Sequence, residues 1–273
     1  MSNIVFRSAT LALGAMATVL FSGAASAETL RIGGTGVALG SISVLADAFE
    51  AQHPGSEIEV LPSLGSGGGI KAVIAQAIDL GLSSRPLKDK EAAAGAKARP
   101  YAQTAMVFAT SVGNDTSTIT TEDIAEIYSG EASQWPNGTP IRLVMRPPSE
   151  GDIKVIRSLS QEIDQAVDAA FERASAVVAL NDQENAETLE SLEGSFGLMA
   201  VGQIKAENRQ LKALKLVRSE ATDMSDVPED EFLKTLYLVS SDAASPLAAA
   251  FQTFIYSEEA QAILSSYDFK PAN

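Results

Sequence analysis

Thr29-Leu30-Arg31-Ile32-Gly33-Gly34-Thr35-Gly36 is a short β-like run closed by a glycine turn, and Ser41–Gln52 follows as an amphipathic stretch. Ile42, Leu45, Ala46 and Phe49 recur at i, i+3, i+4 and i+7, so the spacing predicts a helix over 41–52 with one apolar face. The unit then repeats. Glu57–Leu61 reads as a second strand, Gly65-Ser66-Gly67-Gly68-Gly69 as a loop, and Ile70, Val73, Ile74 and Ala77 as the stripe of the next helix. Asp79–Leu82 is a third strand, turned by Ser83-Ser84-Arg85-Pro86. Strands alternating with helices imply a parallel sheet with right-handed crossovers.

Outward from this core the pattern continues more loosely. Thr104–Ser111 is apolar and β-like; Ile124 and Ile127 mark a helix; Trp135-Pro136-Asn137-Gly138 is a turn. Pro140–Met145 is a strand, and a helix is expected from about Gly151 with Ile153, Ile156 and Leu159 inward. Val177–Leu180, Gly197–Val201 and Leu233–Ser240 read as strands, Pro228–Asp230 as a polar joint, and the last stretch as a helix carrying Leu247, Ala250, Phe251 and Phe254 on one face. The expected fold is α/β with two lobes, the second inserted into the first, over 28–105, 106–235 and 236–273. The alternative is one doubly wound domain with a long tail.

Residues 1–27 carry the marks of a cleavable export signal. Arg7 precedes an apolar run, Leu11–Phe21, which is too short to cross a bilayer comfortably, and Ala25-Ser26-Ala27 fits the cleavage rule. The mature chain is then expected outside the cytoplasm. Its removal leaves 19 basic against 35 acidic residues, a net charge of −16. That field disfavours nucleic acid and anionic membranes, both of which need basic surface. With no cysteine, disulfides and thiol chemistry are excluded. The single histidine, His53, lies in a helix-stop sequence, Gln52-His53-Pro54-Gly55, and histidine-based catalysis and most zinc sites are disfavoured. No cofactor and no metal is expected.

Three loops follow strands and precede helices, where unpaired amides and a partial positive charge receive anions. The first offers Thr35 and Gly36; the second, Ser66 and Gly67; the third, Arg146-Pro147-Pro148-Ser149-Glu150-Gly151-Asp152, offers Arg146, Ser149 and the Gly151 amide. The second is not a Walker loop, because Ile70 separates Gly69 from Lys71. Lys71 points to the ligand or to solvent. Asp152 has three open roles: helix cap, partner of Arg146, or acceptor of a ligand proton.

The ordered set Gly33-Gly34-Thr35-Gly36, Gly65–Lys71, Asp79–Leu87, Ile127-Tyr128-Ser129-Gly130 with Trp135, and Arg146 after its strand resembles the phosphate-binding proteins of ABC importers, within the type II periplasmic binding proteins. The resemblance spans nearly all of the mature chain. It implies a periplasmic monomer of two lobes joined by crossing strands, closing on a small oxyanion, phosphate first, and delivering it to an ABC permease. It also implies that Thr35 and Ser66 donate hydroxyls and that Arg146 clamps the anion. Two positions depart from the family. Ser84 stands where the family has an aspartate that accepts the phosphate proton, and Ser149-Glu150-Gly151-Asp152 replaces Gly-Ser-Gly-Thr. Asp152 is the expected substitute acceptor, and Asp182-Gln183-Glu184-Asn185 resembles a polar loop near the cleft. The competing readings are a sensor of the same fold, a binder of another anion, and an exported phosphate-ester hydrolase using Ser66 or Ser84.

Overall fold

The computed structural model describes residues 28–220, 223–228 and 231–272. The signal expected over 1–27 lies outside the described residues, as does part of the joint expected at Pro228–Asp230.

The opening unit forms as its periodicity predicts. Strand β1 (Glu28–Gly34) leads through a 3-10 turn (Gly36–Ala38) into α1 (Leu39–Gln52). Next come β2 (Ser56–Val60), α2 (Gly65–Ile74), β3 (Leu80–Ser83) and the short α3 (Asp89–Ala93). β1 lies between β2 and β3 and is parallel to both. Ile42, Leu45, Ala46 and Phe49 are buried, and Phe49 meets Phe251 and Phe254 at ring-centroid distances of 5.2 and 5.5 Å.

The glycine tract is a correction to the sequence reading. Gly65–Gly69 is the first turn and a half of α2, not a loop. Propensity argues for a loop, but packing decides otherwise. A Cβ at Gly69 would lie 2.7 Å from Gly34 Cα and 2.8 Å from Gly33 O, so α2 rests on the backbone of β1 through a residue without a side chain.

Strand β4 (Lys97–Ser111) is far longer than its apolar half suggested and carries the chain from one lobe to the other. Residues 97–105 pair with β12 (Leu233–Ser240), whereas 106–109 pair with β8 (Ser195–Ala200) and 109–111 with β9 (Leu211–Ala213), all antiparallel. Pro100 is accommodated because the β4–β12 register shifts at Leu236/Tyr237, opposite it.

Between the two crossings lie β5 (Thr118–Thr120), α4 (Thr121–Ser129), β6 (Arg142–Met145), α5 (Gly151–Ser158), α6 (Gln161–Phe171), β7 (Val177–Val178) and α7 (Asp182–Ser191). After β8 come α8 (Val201–Ala206), β9, β10 (Lys215–Glu220) and β11 (Asp223–Asp226). The main sheet runs β2-β1-β3-β12-β4-β8-β6-β7, and β11-β10-β5 forms a small second sheet. Phe196 centres this lobe's core, stacked on Phe108 at 5.1 Å and met edge-on by Trp135 at 5.8 Å.

The closing stretch is two helices, α9 (Pro246–Ile255) and α10 (Glu258–Ser266), before β13 (Phe269–Pro271) pairs with β4. Ala248 takes the buried position expected of Ala250, which is exposed. Among the described residues, no helix is long and apolar enough to cross a membrane.

Candidate functional site

The first lobe presents three hydroxyls. Thr35 follows the last residue of β1 and caps the 3-10 turn in an extended conformation, its amide donating to Leu82 O at 3.0 Å. Its Oγ1 donates to Ser84 Oγ at 3.3 Å. Ser66, in the first turn of α2, lies 3.2 Å from Ser84 Oγ and accepts from the Ser84 amide at 3.0 Å. Thr35 is buried and both serines are half-buried. The neighbouring Arg85 is held away by a two-pronged pair with Glu91, both contacts 2.8 Å. The Arg85 hydrogen bonds hold the Glu91 carboxyl down at about 2 against the opposing effect of burial.

The second lobe presents charge. Arg146 follows β6 and is 5% exposed. Its Nη1 donates to Ala179 O at 2.8 Å, while its buried Nε has no hydrogen-bond partner. Three carboxylates surround it at longer range: Asp182 at 3.6 Å, Asp152 at 3.8 Å and Glu150 at 3.9 Å. Asp152, buried in the first turn of α5, accepts instead from the Lys234 ammonium. Lys234 is the second residue of β12, with a 13% exposed side chain. Burial works against its charge, but Asp152 and Asp182 outweigh burial and hold its pKa above the ordinary lysine value.

The lobes meet at α7. Asn181 caps this helix, accepting from the Glu184 amide at 2.9 Å, and so aims Asp182 and Gln183 at the 3-10 turn of the first lobe. Asp182 Oδ2 accepts from the Val37 amide at 3.1 Å and lies 3.5 Å from Thr35 Oγ1. Gln183 Nε2 donates to Gly36 O at 3.1 Å and to Glu207 Oε1 at 2.9 Å. Burial pushes the Glu207 carboxyl up, with Arg209 and the two glutamines opposing. A Cβ at Gly36 would stand 2.8 Å from Asp182 Cβ and overlap Gln183 Oε1, which explains the glycine.

Thr35, Ser66, Ser84, Arg146 and Asp152 are therefore gathered: Thr35 and Ser66 share Ser84, Thr35 and Arg146 share Asp182, and Arg146 and Asp152 are neighbours. Gly36 is buried at the lobe contact and Gly67 half-buried on α2. Ser149 and Gly151 stay exposed on the turn before α5, and Lys71 faces solvent. Asp152 does not cap α5; its carboxylate is engaged with Lys234 and Arg146. The segment 182–185 is the first turn of α7 rather than a loop, and Asn181 with Glu184 three residues on is the sequence signal for that start. Lys234 and the Val37 amide were not anticipated. His53 ends α1, stacked on Phe49 at 3.8 Å, some 20 Å along the helix from Thr35.

This arrangement can hold a small anion between the hydroxyls of one lobe and a guanidinium of the other whose Nε is unused. Comparison with known proteins agrees in fold. The phosphate-binding protein PstS of Borreliella burgdorferi is 29% identical over 163 residues, 58% of each chain, so the present chain spans under two thirds of that relative's length. A Clostridium perfringens structure, described as a phosphate ABC transporter substrate-binding protein with bound phosphate, superposes with a TM-score of 0.67 at 20% identity, covering 90% of this chain and 100% of that one. The periplasmic molybdate-binding protein of Azotobacter vinelandii gives 0.63 at 14% identity, covering 89% and 100%. A family profile described as a PBP superfamily domain matches residues 21–259, and the chain belongs to that superfamily.

Proposed function

We propose that this protein captures a small oxyanion, phosphate before others, between its lobes and delivers it to the permease of an ABC importer. The observation that carries this reading is Arg146: a guanidinium 5% exposed, anchored by a single hydrogen bond to Ala179 O, with its buried Nε unpartnered. A buried donor left unmatched is costly, and two oxygens of an oxyanion are the natural match for a guanidinium edge. Thr35, Ser66 and Ser84 supply hydroxyls from the facing lobe.

In this reading the lobes divide at 105/106 and 235/236, and closure brings the hydroxyls onto the anion held by Arg146. Gly36 would sit at the buried lobe contact, with Gly67, Ser149 and Gly151 farther out. Asp152 lies beside Arg146 but is paired with Lys234, and the ligand-proton acceptor in this reading is Asp182. The PstS relative and the phosphate-bound neighbour in fold favour phosphate and an importer. The export signal expected at 1–27 and the periplasmic location of the molybdate-binding neighbour favour a periplasmic location. Binding is favoured over hydrolysis because His53 lies at the far end of α1 from Ser66 and Ser84.

Thermal unfolding with phosphate, arsenate, sulfate and molybdate tests the proposal, since a ligand of the folded state raises Tm. Phosphate and arsenate should raise Tm, and Arg146→Ala should remove the shift. A protein that responds to none of the four does not have this function.

A further inference from the structure

We infer that Lys234 is the internal counter-ion that keeps Arg146 available to the ligand, so that affinity depends on the Lys234 charge as long as the Asp152 carboxylate is present, although neither need touch the anion. The inference rests on the anion-binding reading above. Two carboxylates, Asp152 and Asp182, sit inside the site with side chains 6% and 15% exposed. Against Arg146 alone they leave an excess negative charge where an anion must enter a protein already strongly acidic. Lys234 brings the count of those four groups to zero.

The geometry shows how the charges are apportioned. Lys234 Nζ hydrogen-bonds Asp152 Oδ1, whereas the other oxygen of that carboxylate stands 3.8 Å from Arg146 Nε, beyond hydrogen-bond reach. Asp152 is thus drawn to the lysine, and the arginine Nε stays without a partner. If the lysine charge were removed, Asp152 would be a buried carboxylate whose nearest cation is Arg146, and the two would close into a pair. Such a pair would use the donors that the anion needs. The lysine is also rigidly placed. It lies opposite Thr104 in the β12–β4 ladder, where Phe232 O accepts from the Met106 amide at 2.8 Å just before β12 begins.

The test is calorimetry with inorganic phosphate at pH 8 on four proteins: wild type, Lys234→Gln, Asp152→Asn, and the double variant. Lys234→Gln should weaken phosphate binding at least tenfold. Asp152→Asn should bind as tightly as wild type or more tightly, and the double variant should return to within about threefold of wild type, because Arg146 has no competing carboxylate in either. A double variant as weak as Lys234→Gln overturns the inference, as does Asp152→Asn weakening binding as much as Lys234→Gln. Melting of the ligand-free proteins separates a structural role: a lower Tm with unchanged affinity in Lys234→Gln also overturns it. If Lys234→Gln does not fold, Asp152→Asn decides alone, weaker binding counting against. A wild-type protein that binds no phosphate fails the underlying reading, which is a different result from a wild-type binder whose Lys234 variant binds equally well.

Discussion

Asp182 Oδ2, on one lobe, accepts a hydrogen bond at 3.1 Å from the Val37 amide, on the other. The amide belongs to the turn that opens α1, so a carboxylate of the second lobe sits on an anion-binding helix start of the first. The same carboxylate lies 3.6 Å from Arg146 Nη2. Any oxyanion bound between Thr35 and Arg146 is therefore a neighbour of Asp182, and that neighbour repels full ionisation while accepting from a protonated oxygen.

Asp182→Asn is accordingly expected to blunt discrimination. The amide keeps a carbonyl acceptor and the shape of the side chain but removes the charge that excludes sulfate. A hydrogen bond to a charged group contributes about 1.5–3 kcal/mol, so the phosphate-to-sulfate affinity ratio should shrink by about tenfold or more. Competition calorimetry measures the ratio, and an unchanged ratio would remove Asp182 from selectivity.

Much of this was legible in the chain before folding. The α1 stripe at Ile42, Leu45 and Phe49, the parallel order around β1, and the convergence of Thr35, Ser66 and Arg146 all follow from period and from loops at strand ends. Other parts were hidden for identifiable reasons. The apolar face of α6 is Ile163, Ala166, Val167 and Ala170, too rich in alanine to stand out. The first half of β4 opens on exposed and half-buried positions, sets two buried residues side by side at Tyr101 and Ala102, and contains Pro100, which masks a strand. The role of Lys234 arises only where the strand that crosses between the lobes brings it against Asp152, 82 positions away in sequence.

Arg146→Lys should cost most of the binding while preserving charge. The ammonium cannot both donate to Ala179 O and present a planar fork to two oxygens. Phosphate affinity should fall by about tenfold to a hundredfold, with ligand-free Tm changing little. Equal affinity in titration calorimetry would show that only the charge of Arg146 matters.

Gly69→Ala should be destabilising by about 1–3 kcal/mol, the range for overpacking a tight contact. The added Cβ meets backbone atoms of Gly33 and Gly34, which cannot rotate out of the way, and lifting α2 also parts Ser66 from Ser84. Gly113→Ala is the control, since its Cβ would meet nothing within 4 Å, and it should stay within about 0.5 kcal/mol of wild type. Urea denaturation of the two variants distinguishes them, and equal midpoints would contradict the packing argument.

Glu91 gives the acid limb of stability a specific source. Its carboxylate accepts from both Arg85 nitrogens and from the Lys88 amide, all at 2.8 Å, and titrates at about 2 rather than its usual 4.5. The folded protein thus binds this proton less readily than the unfolded chain. The contribution is complete above pH 4.5 and disappears as the pH falls towards 2. Glu91→Gln removes it at every pH, so the variant should melt lower than wild type near neutrality and lose less on acidification between pH 4.5 and 2. Arg85, released from its fork, would then be free to swing beside Ser84, and any change in phosphate affinity would report that second effect separately. Superimposable melting profiles for the two proteins across that acid window would show that the Arg85–Glu91 pair contributes nothing to folding.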